Sequence, residues 1–259
     1  MPLNPPISDW TDRRVWLIGA RTGIGAACAA ALLARGARIA VSARSRPALE
    51  QLVRSAPPGK ALVLPLDVTR PPELAAAYEA LCAQWGVPDL VLVLSGTHRS
   101  VRTWELDSET ARTLVETNLM GTLNAIQAVV PGLLAARRGG IAIVASVAGY
   151  RGLPTSLVYG ATKAALINLA ETLYLDLKPR GVDVYLVNPG FVKTPLTDRN
   201  AFRMPALISA EEAAEATLEG IARGQFEIHY PRRFTWTMKL LEMLPYRLYF
   251  PLVRWITGL

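Results

Sequence analysis

The chain has 259 residues, of which 51% are hydrophobic and 19% are charged, and its formal net charge is +7. This composition excludes an intrinsically disordered protein, and the length suits one large α/β domain. The positive charge indicates an acidic partner, for which a phosphate-bearing cofactor, a membrane surface and nucleic acid are the initial candidates.

The cysteines and histidines give no metal-ligand spacing. Cys28 and Cys82 lie in Ala-rich helical patterns, and His98 and His229 stand alone. We therefore expect buried thiols in a reducing compartment and no metal site. We also expect neither a signal peptide nor a membrane-spanning helix, which indicates a cytoplasmic protein or one at a membrane surface.

Apolar runs alternate with helical patterns in chain order. The strand runs are apolar on both faces, as a parallel sheet covered by helices requires. This alternation predicts an α/β fold with a doubly wound parallel sheet of about seven strands. We predict residues 1–231 as this domain and 232–259 as an appended C-terminal helical segment. Strands are predicted at 15–18, 37–43, 61–66, 89–94, 140–145, 182–187 and 226–230, and helices from the glycine loop to about 35 and at 46–55, 71–85, 108–137, 156–178 and 209–223.

A glycine-rich loop follows the first strand. Gly19, Gly23 and Gly25 have the spacing G-x-x-x-G-x-G at a strand-to-helix junction. Glycines let the backbone approach a pyrophosphate, and the helix N-terminus offers free N–H groups to it. A tight turn without a ligand would use the same glycines. The placement favours a dinucleotide site with contacts from Gly19, Arg21, Thr22, Gly23, Ile24 and Gly25.

The end of the second strand distinguishes NADP(H) from NAD. Sites for NAD usually place Asp or Glu there to bind the ribose 2′-hydroxyl. Residues 42–46 read SARSR instead, and the first carboxylate is Glu50. Arg44 can form a forked pair with a 2′-phosphate, with Arg46 nearby and Arg21 projecting from the glycine loop. We predict NADP(H); the alternative is an ordinary solvated basic turn.

Four further motifs follow in order. Asn118 lies in a predicted long helix, Ser146 ends a strand, and Tyr159 and Lys163 share a helix face one turn apart. Asn-Pro-Gly follows the sixth strand at 188–190. With the glycine loop, these motifs resemble the short-chain dehydrogenase/reductase family in its single-domain form of about 250 residues. The resemblance runs from about residue 14 to residue 230 and implies a Rossmann-type sheet.

The resemblance implies hydride transfer between NADP(H) and a carbonyl or secondary alcohol, with a tetrad of Asn118, Ser146, Tyr159 and Lys163. Asn118 would position a proton-relaying water, and Lys163 would also hold the ribose. The family commonly forms dimers or tetramers through its two long helices, so we expect a homodimer or homotetramer. Further cofactor contacts are implied at Asp67 and Val68 around the adenine, at Ser95 and Gly96, at Pro189 and Gly190, and at Val192 and Thr194 around the carboxamide.

Physical chemistry supports the roles in the tetrad. A lysine cation stabilises a nearby phenolate, so we expect Lys163 to lower the pKa of Tyr159, the acid in reduction and the base in oxidation. Ser146 would donate a hydrogen bond to the substrate oxygen, and Tyr150 is read as pocket wall. A nucleotide-binding protein without turnover is the alternative.

This chain departs from the family pattern in three places. Ile18 replaces a usual threonine. Thr22 stands where many NADP-specific members have a basic residue, with Arg21 one position earlier. Val93 and Leu94 replace two asparagines after the fourth strand, so support for that strand end must come from elsewhere.

The C-terminal segment 232–259 combines apolar and aromatic residues with basic ones. Pro245 separates two apolar helical stripes, and Pro251 is expected to kink the second. A lid or dimer arm and an anchor at a membrane surface both remain open. Both suit a small lipophilic substrate, as does the apolar pocket segment 191–208. No nucleic-acid module is recognised.

Overall fold

In a computed structural model that describes residues 1–198 and 204–258, seven parallel strands form one sheet. Their order is β3-β2-β1-β4-β5-β6-β7. The order reverses between β1 and β4, which opens a crevice at their carboxyl ends. The predicted doubly wound sheet is confirmed. The strands are β1 Arg14–Ile18, β2 Arg38–Ser42, β3 Ala61–Val63, β4 Leu90–Val93, β5 Gly140–Val144, β6 Asp183–Pro189 and β7 Glu227–Tyr230.

Helices cover both faces of the sheet. Successive residues of β1 point to opposite faces, with Val15 and Leu17 in one apolar cluster and Trp16 and Ile18 in the other. The first cluster includes residues of α1 and α7, and the second includes residues of α3, α5 and α6. The helices are α1 Gly23–Ala34, α2 Arg46–Leu52, α3 Pro71–Trp85, α4 Ser108–Val115, α5 Gly121–Ala136, α6 Leu157–Leu177, α7 Ala210–Ala222, α8 Arg232–Met243 and α9 Tyr246–Thr257.

The helix predicted over 108–137 is divided. A π-helical turn at Glu116–Met120 joins α4 to α5. Asn118 is fully buried in this turn, and its carbonyl accepts a hydrogen bond from the hydroxyl of Thr122. Such turns place an extra residue in the helix and are frequent at functional sites.

The expectation that no stretch could span a membrane needs correction. By length and composition alone, Ser108–Ala136 is long and apolar enough to do so, since its most apolar 18-residue window has a mean hydropathy of 1.5. Its inner face packs on the sheet, where Ala125, Val129 and Leu133 are fully buried. From residue 119 to 136 the run contains polar but uncharged residues, among them Thr122, Asn124 and Gln127.

Two helices follow β7, where the appended segment was predicted. Leu244 and Pro245 separate α8 from α9, and α9 continues through Pro251 to Thr257. Leu259 and residues 199–203 of the expected pocket segment lie outside the described residues.

Candidate active site

A cavity of about 650 Å³ opens beyond the carboxyl ends of the strands. Every residue predicted to contact the cofactor lines it, as do Ser146 and Tyr159, whereas Asn118 does not. The cofactor set is Gly19, Arg21, Thr22, Gly23, Ile24, Gly25, Arg44, Asp67, Val68, Ser95, Gly96, Lys163, Pro189, Gly190, Val192 and Thr194.

The glycine loop lies tightly against two neighbouring segments. Gly19 has φ +100°, and a Cβ there would lie 2.5 Å from the backbone nitrogen of Ser95. A Cβ at Gly23 would lie 2.8 Å from Cγ2 of Thr194. In addition, Ser95 Oγ is buried without a hydrogen-bond partner in the described part of the chain. This backbone cradle with an unused hydroxyl fits a dinucleotide cofactor.

Two of the three expected arginines reach the cavity. Arg44 and Arg21 are exposed, line it, and have no carboxylate partner among the described residues. Arg46 instead pairs with Glu50 at 3.5 Å on α2 and is absent from the lining. Burial opposes ionisation of Asp67, but hydrogen bonds from Thr69 and the charge of Arg44 hold its pKa below the usual value. Arg44 therefore interacts with the charge of Asp67 without forming a salt bridge, and Arg21 adds a second cation at the cavity.

A tight turn brings Ser146 to α6. Ser146 Oγ accepts from the backbone N–H of Ala148 at 3.1 Å and donates to the carbonyl of Pro189 at 3.4 Å. The turn ends at Gly149, where a Cβ would lie 2.6 Å from the carbonyl carbon of Lys163. Glycine therefore permits the close approach that places Ser146 beside Tyr159.

The electrostatics differ from the expected ones. Burial raises the pKa of Tyr159, and a hydrogen bond with Ser146 offsets part of this rise. Lys163 Nζ lies 5.7 Å from the Tyr159 ring centroid and donates to the carbonyl of Val144 at 3.0 Å. Burial also lowers the pKa of Lys163 to about 8. In the protein chain itself the desolvation of the phenolate dominates, so the net pKa shift of Tyr159 is upward, and the expected lowering by Lys163 stays a prediction.

Asn118 supports the end of β4 from outside the cavity. Its Oδ1 accepts from the backbone N–H of Thr97 at 2.7 Å, and its Nδ2 donates to the Thr97 carbonyl at 2.9 Å. Nδ2 also lies 3.2 Å from Thr162 Oγ1. These two bonds hold the backbone at Thr97, shortly after the end of β4. A catalytic role for Asn118 stays a prediction.

Comparison with known proteins agrees with this geometry. The family model described as short chain dehydrogenase matches residues 13–203. The chain belongs to the short-chain dehydrogenase/reductase family. An uncharacterized oxidoreductase from Myxococcus xanthus is 34% identical over 241 residues, which cover 92% of this chain and 95% of that protein. A 3-oxoacyl-[acyl-carrier-protein] reductase from Thermotoga maritima is 32% identical over 218 residues, 83% of this chain and 85% of that one.

Solved structures share the fold. A short-chain dehydrogenase/reductase from Burkholderia phymatum, in complex with NAD, has a TM-score of 0.83 at 24% identity and covers 90% of this chain and 94% of its own. As a short-chain dehydrogenase/reductase, this protein is an oxidoreductase that acts on CH–OH or C=O groups with a nicotinamide cofactor.

Sequence reasoning missed His98. Its ring lies edge-on to Tyr159, with centroids 4.6 Å apart, although a lone histidine gave no signal of this contact. Tyr150, read as pocket wall, instead donates to Glu227 Oε1 at 2.6 Å and does not line the cavity. Lining residues that were not among the predicted contacts are Ser42, Ala43, Ser45, Leu66, Thr69, Leu94, Thr97, Thr113, Thr117, Val144, Ala145, Pro195, Leu196 and Thr197.

No metal centre accompanies this site in residues 1–198 and 204–258, where no three His, Cys, Asp or Glu side chains are grouped to hold an ion. Both cysteines are free thiols. Cys28 is buried, and burial raises the pKa of its thiol to about 12, so this thiol is unreactive at neutral pH.

Proposed function

We propose that this protein is an NADP(H)-dependent oxidoreductase that interconverts a carbonyl compound and a secondary alcohol through Tyr159. The observation that carries the proposal is one cavity in which Ser146, Tyr159 and Lys163 lie across from the glycine loop and from Arg44. A bound nicotinamide supplies or accepts the hydride at the carbonyl carbon. The protein then has to hold the substrate oxygen and to move one proton.

Tyr159 is the proton donor in the reductive direction. Burial raises its pKa, so the phenol stays protonated at neutral pH and can donate from Oη to the carbonyl oxygen. In oxidation the same oxygen accepts the alcohol proton. Ser146 lies within hydrogen-bonding reach of Tyr159. Its hydroxyl donates a hydrogen bond to the substrate oxygen as negative charge develops on that oxygen.

Lys163 is held beside the cofactor cavity as a buried amine. A Cβ at Gly96 would lie 3.6 Å from Lys163 Nζ, so this glycine keeps the space in front of the amine open. With a pKa of about 8, the amine is mostly a cation at neutral pH. It can hydrogen-bond the ribose hydroxyls, as the family resemblance implies, while Asn118 holds the neighbouring backbone at Thr97.

The choice of NADP(H) rests on the end of β2. No carboxylate follows β2 directly to accept hydrogen bonds from a ribose 2′-hydroxyl, and Arg44 faces the cavity without a salt bridge in the described chain. A guanidinium can bind a 2′-phosphate with two parallel hydrogen bonds. Arg21, on the adjacent loop, adds a second positive charge.

We propose a small lipophilic substrate and a homodimer or homotetramer. The Thermotoga maritima relative is named for a 3-oxoacyl substrate, a carbonyl on an acyl chain. Exposed apolar side chains on the long helix α6, such as Leu157 and Leu175, suit a subunit interface. Because a lipophilic substrate partitions into membranes, the proposal includes peripheral membrane contact of a cytoplasmic enzyme through residues 232–259.

The test is a screen of ketones, aldehydes and alcohols of increasing chain length, followed by cofactor absorbance with NADPH and with NADH. We expect turnover of an apolar carbonyl compound with NADPH, and little with NADH. Tight NADPH binding without turnover of any compound would favour the alternative of a nucleotide-binding protein. Equal turnover with both cofactors would contradict the cofactor assignment alone.

A further inference from the structure

The helices α8 and α9 are firmly attached to the core. Lys239 on α8 forms a half-buried ion pair with Glu227 on β7, and Glu227 also accepts hydrogen bonds from Tyr150 and Asn188. The hydroxyl of Tyr249 on α9 donates to the carbonyl of Gly152 at 2.5 Å. The segment is therefore a fixed platform and not a loose tail.

Arg151 joins both helices to the loop between Ser146 and Tyr159. Its guanidinium donates to the carbonyls of Leu241 and Glu242, at 3.0 and 2.8 Å, at the end of α8. The same group stacks on two rings of α9, 4.6 Å from the Tyr246 centroid and 4.1 Å from that of Tyr249. The inner faces of the two helices are thus occupied.

The outer face of α8 carries an apolar stripe. Trp236, Leu240 and Met243 recur at positions i, i+4 and i+7 and are 56%, 63% and 78% exposed. Thr235 and Met238, on the opposite side, are buried against the core. Leu240 and Met243 are open to solvent, whereas one edge of the Trp236 contact surface is used by His229, with ring centroids 5.4 Å apart.

A second stripe follows on α9. Leu248, Trp255 and Ile256 are exposed and share one side of the helix, and Trp255 is 81% exposed. Arg247 and Arg254 are also exposed and lie about 100° around the helix from Leu248 and Trp255, away from the buried side chains of Tyr249 and Val253. The helix thus combines apolar side chains that suit the acyl-chain boundary of a lipid bilayer with guanidinium groups that can bind lipid phosphate.

The charge of residues 232–259 indicates which kind of partner covers the two apolar stripes. Arg232, Arg233, Arg247 and Arg254 are exposed, and none pairs with a carboxylate in the part of the chain that the structure describes. Glu242 is the only acidic residue from 232 onward. A second copy of this platform would bring like charges together, whereas an anionic surface complements them.

We infer that the outer faces of α8 and α9 form a docking surface for an anionic lipid bilayer. Tryptophan and arginine are well suited to the headgroup region, where the ring and the side-chain stem lie in the apolar boundary and the charge meets lipid phosphate. This inference deepens the proposed membrane contact, and it requires neither bound cofactor nor turnover.

The test is co-sedimentation of the full chain with vesicles of phosphatidylcholine, with and without phosphatidylglycerol, at low and high salt. We expect binding to the anionic vesicles that weakens with salt. Trp236→Ala with Trp255→Ala should abolish binding. Arg247→Gln with Arg254→Gln should weaken it roughly tenfold or more, because each arginine near an anionic surface contributes several-fold.

Matched controls lie elsewhere on the surface. Trp104→Ala removes a tryptophan that is 80% exposed, and Arg54→Gln with Arg180→Gln removes two exposed arginines. These variants should bind like wild type. Absence of binding by the folded wild-type protein, or equal losses in the controls, would overturn the inference. The inference would also be overturned if vesicles bound neither protein and the wild type formed a dimer that dissociated in the tryptophan double variant. That result would assign the surface to contact with a second copy of the chain. Turnover of a water-soluble carbonyl compound in the same samples separates this outcome from failure of the proposed reaction.

Discussion

The imidazole of His98 lies edge-on against the ring of Tyr159, with centroids 4.6 Å apart and planes at 89°. The contact fixes the ring that would carry the proton. An aromatic pair of this geometry contributes about 0.5–1.5 kcal/mol beyond burial. We therefore expect His98→Ala to lower kcat roughly two- to tenfold, with an unchanged dissociation constant for NADPH.

His98→Phe keeps the edge-on ring contact with Tyr159 and removes the titratable imidazole. Burial lowers the pKa of His98, so it is neutral at pH 7. In the wild type, protonation of His98 at acidic pH places a cation beside Tyr159. We therefore expect kcat to change with pH on the acidic side of its profile. The phenylalanine variant should retain most of the turnover and lack this change of kcat at acidic pH. An identical profile would show that the histidine does not influence Tyr159 electrostatically.

Tyr159→Phe should reduce kcat about 10²- to 10⁴-fold, the usual contribution of a general acid. Only the transferable proton is removed, so the NADPH dissociation constant should remain close to that of wild type. Tyr78→Phe is the control, since Tyr78 lies on α3 and does not line the cavity. Turnover within threefold of wild type in Tyr159→Phe would remove the acid/base assignment.

Lys163→Met should stabilise the protein without cofactor. Burial lowers the pKa of Lys163 from 10.5 to about 8, which corresponds to about 3 kcal/mol of destabilisation of the folded state. Because the folded pKa lies below the unfolded one, this deficit is complete below about pH 8 and disappears as the pH rises toward 10.5. Chemical denaturation of both proteins across this window measures the difference. A constant difference would contradict the buried charge.

Arg44→Ala should weaken NADPH binding about ten- to a hundredfold, since a forked charge-assisted pair contributes roughly 1.5–3 kcal/mol. Binding of NADH should change little. Arg46→Ala is a close control, because Arg46 pairs with Glu50 and does not line the cavity. A cofactor preference that survives Arg44→Ala but is lost in Arg21→Ala would assign the phosphate contact to the glycine loop.

Gly149→Ala should destabilise the fold by about 1–3 kcal/mol, as overpacking does, because its Cβ would lie 2.6 Å from the Lys163 carbonyl carbon. Gly152→Ala, where a Cβ would have no neighbour within 4 Å, should be nearly neutral. Thermal denaturation of both variants compares them. Equal melting temperatures would mean that the turn after Ser146 can move away from α6.

The sheet was predictable because its strands are short, continuous apolar runs between glycines and helical patterns. The third strand was predicted to reach Leu66 but ends at Val63, although the backbone N–H groups of Leu64 and Leu66 still donate to the carbonyls of Val41 and Ala43 beyond it. The cofactor cavity was predictable for a similar reason. Its residues follow strand ends, and parallel strands bring their carboxyl ends to one edge.

Contacts between residues distant in sequence were not predictable. Neither the approach of His98 to Tyr159 nor the clamp of Asn118 on Thr97 has a local pattern. The clamp also depends on a π-helical turn, which a 3.6-residue periodicity does not indicate. The raised pKa of Tyr159 reflects burial by the whole site. The spacing of Tyr159 and Lys163 therefore could not indicate the net direction of the Tyr159 pKa shift.

The cavity walls come from the ends of six strands, with Gly19 following β1 and Val192 following β6. A ligand in it bridges both halves of the sheet and should disfavour their separation. By mass action, a ligand present at a hundred times its dissociation constant adds about 2.7 kcal/mol to the free energy of unfolding. Melting temperature can thus serve as a binding assay before any substrate is known. It would rank cofactors, and then compounds added to the cofactor complex, on the unmodified chain.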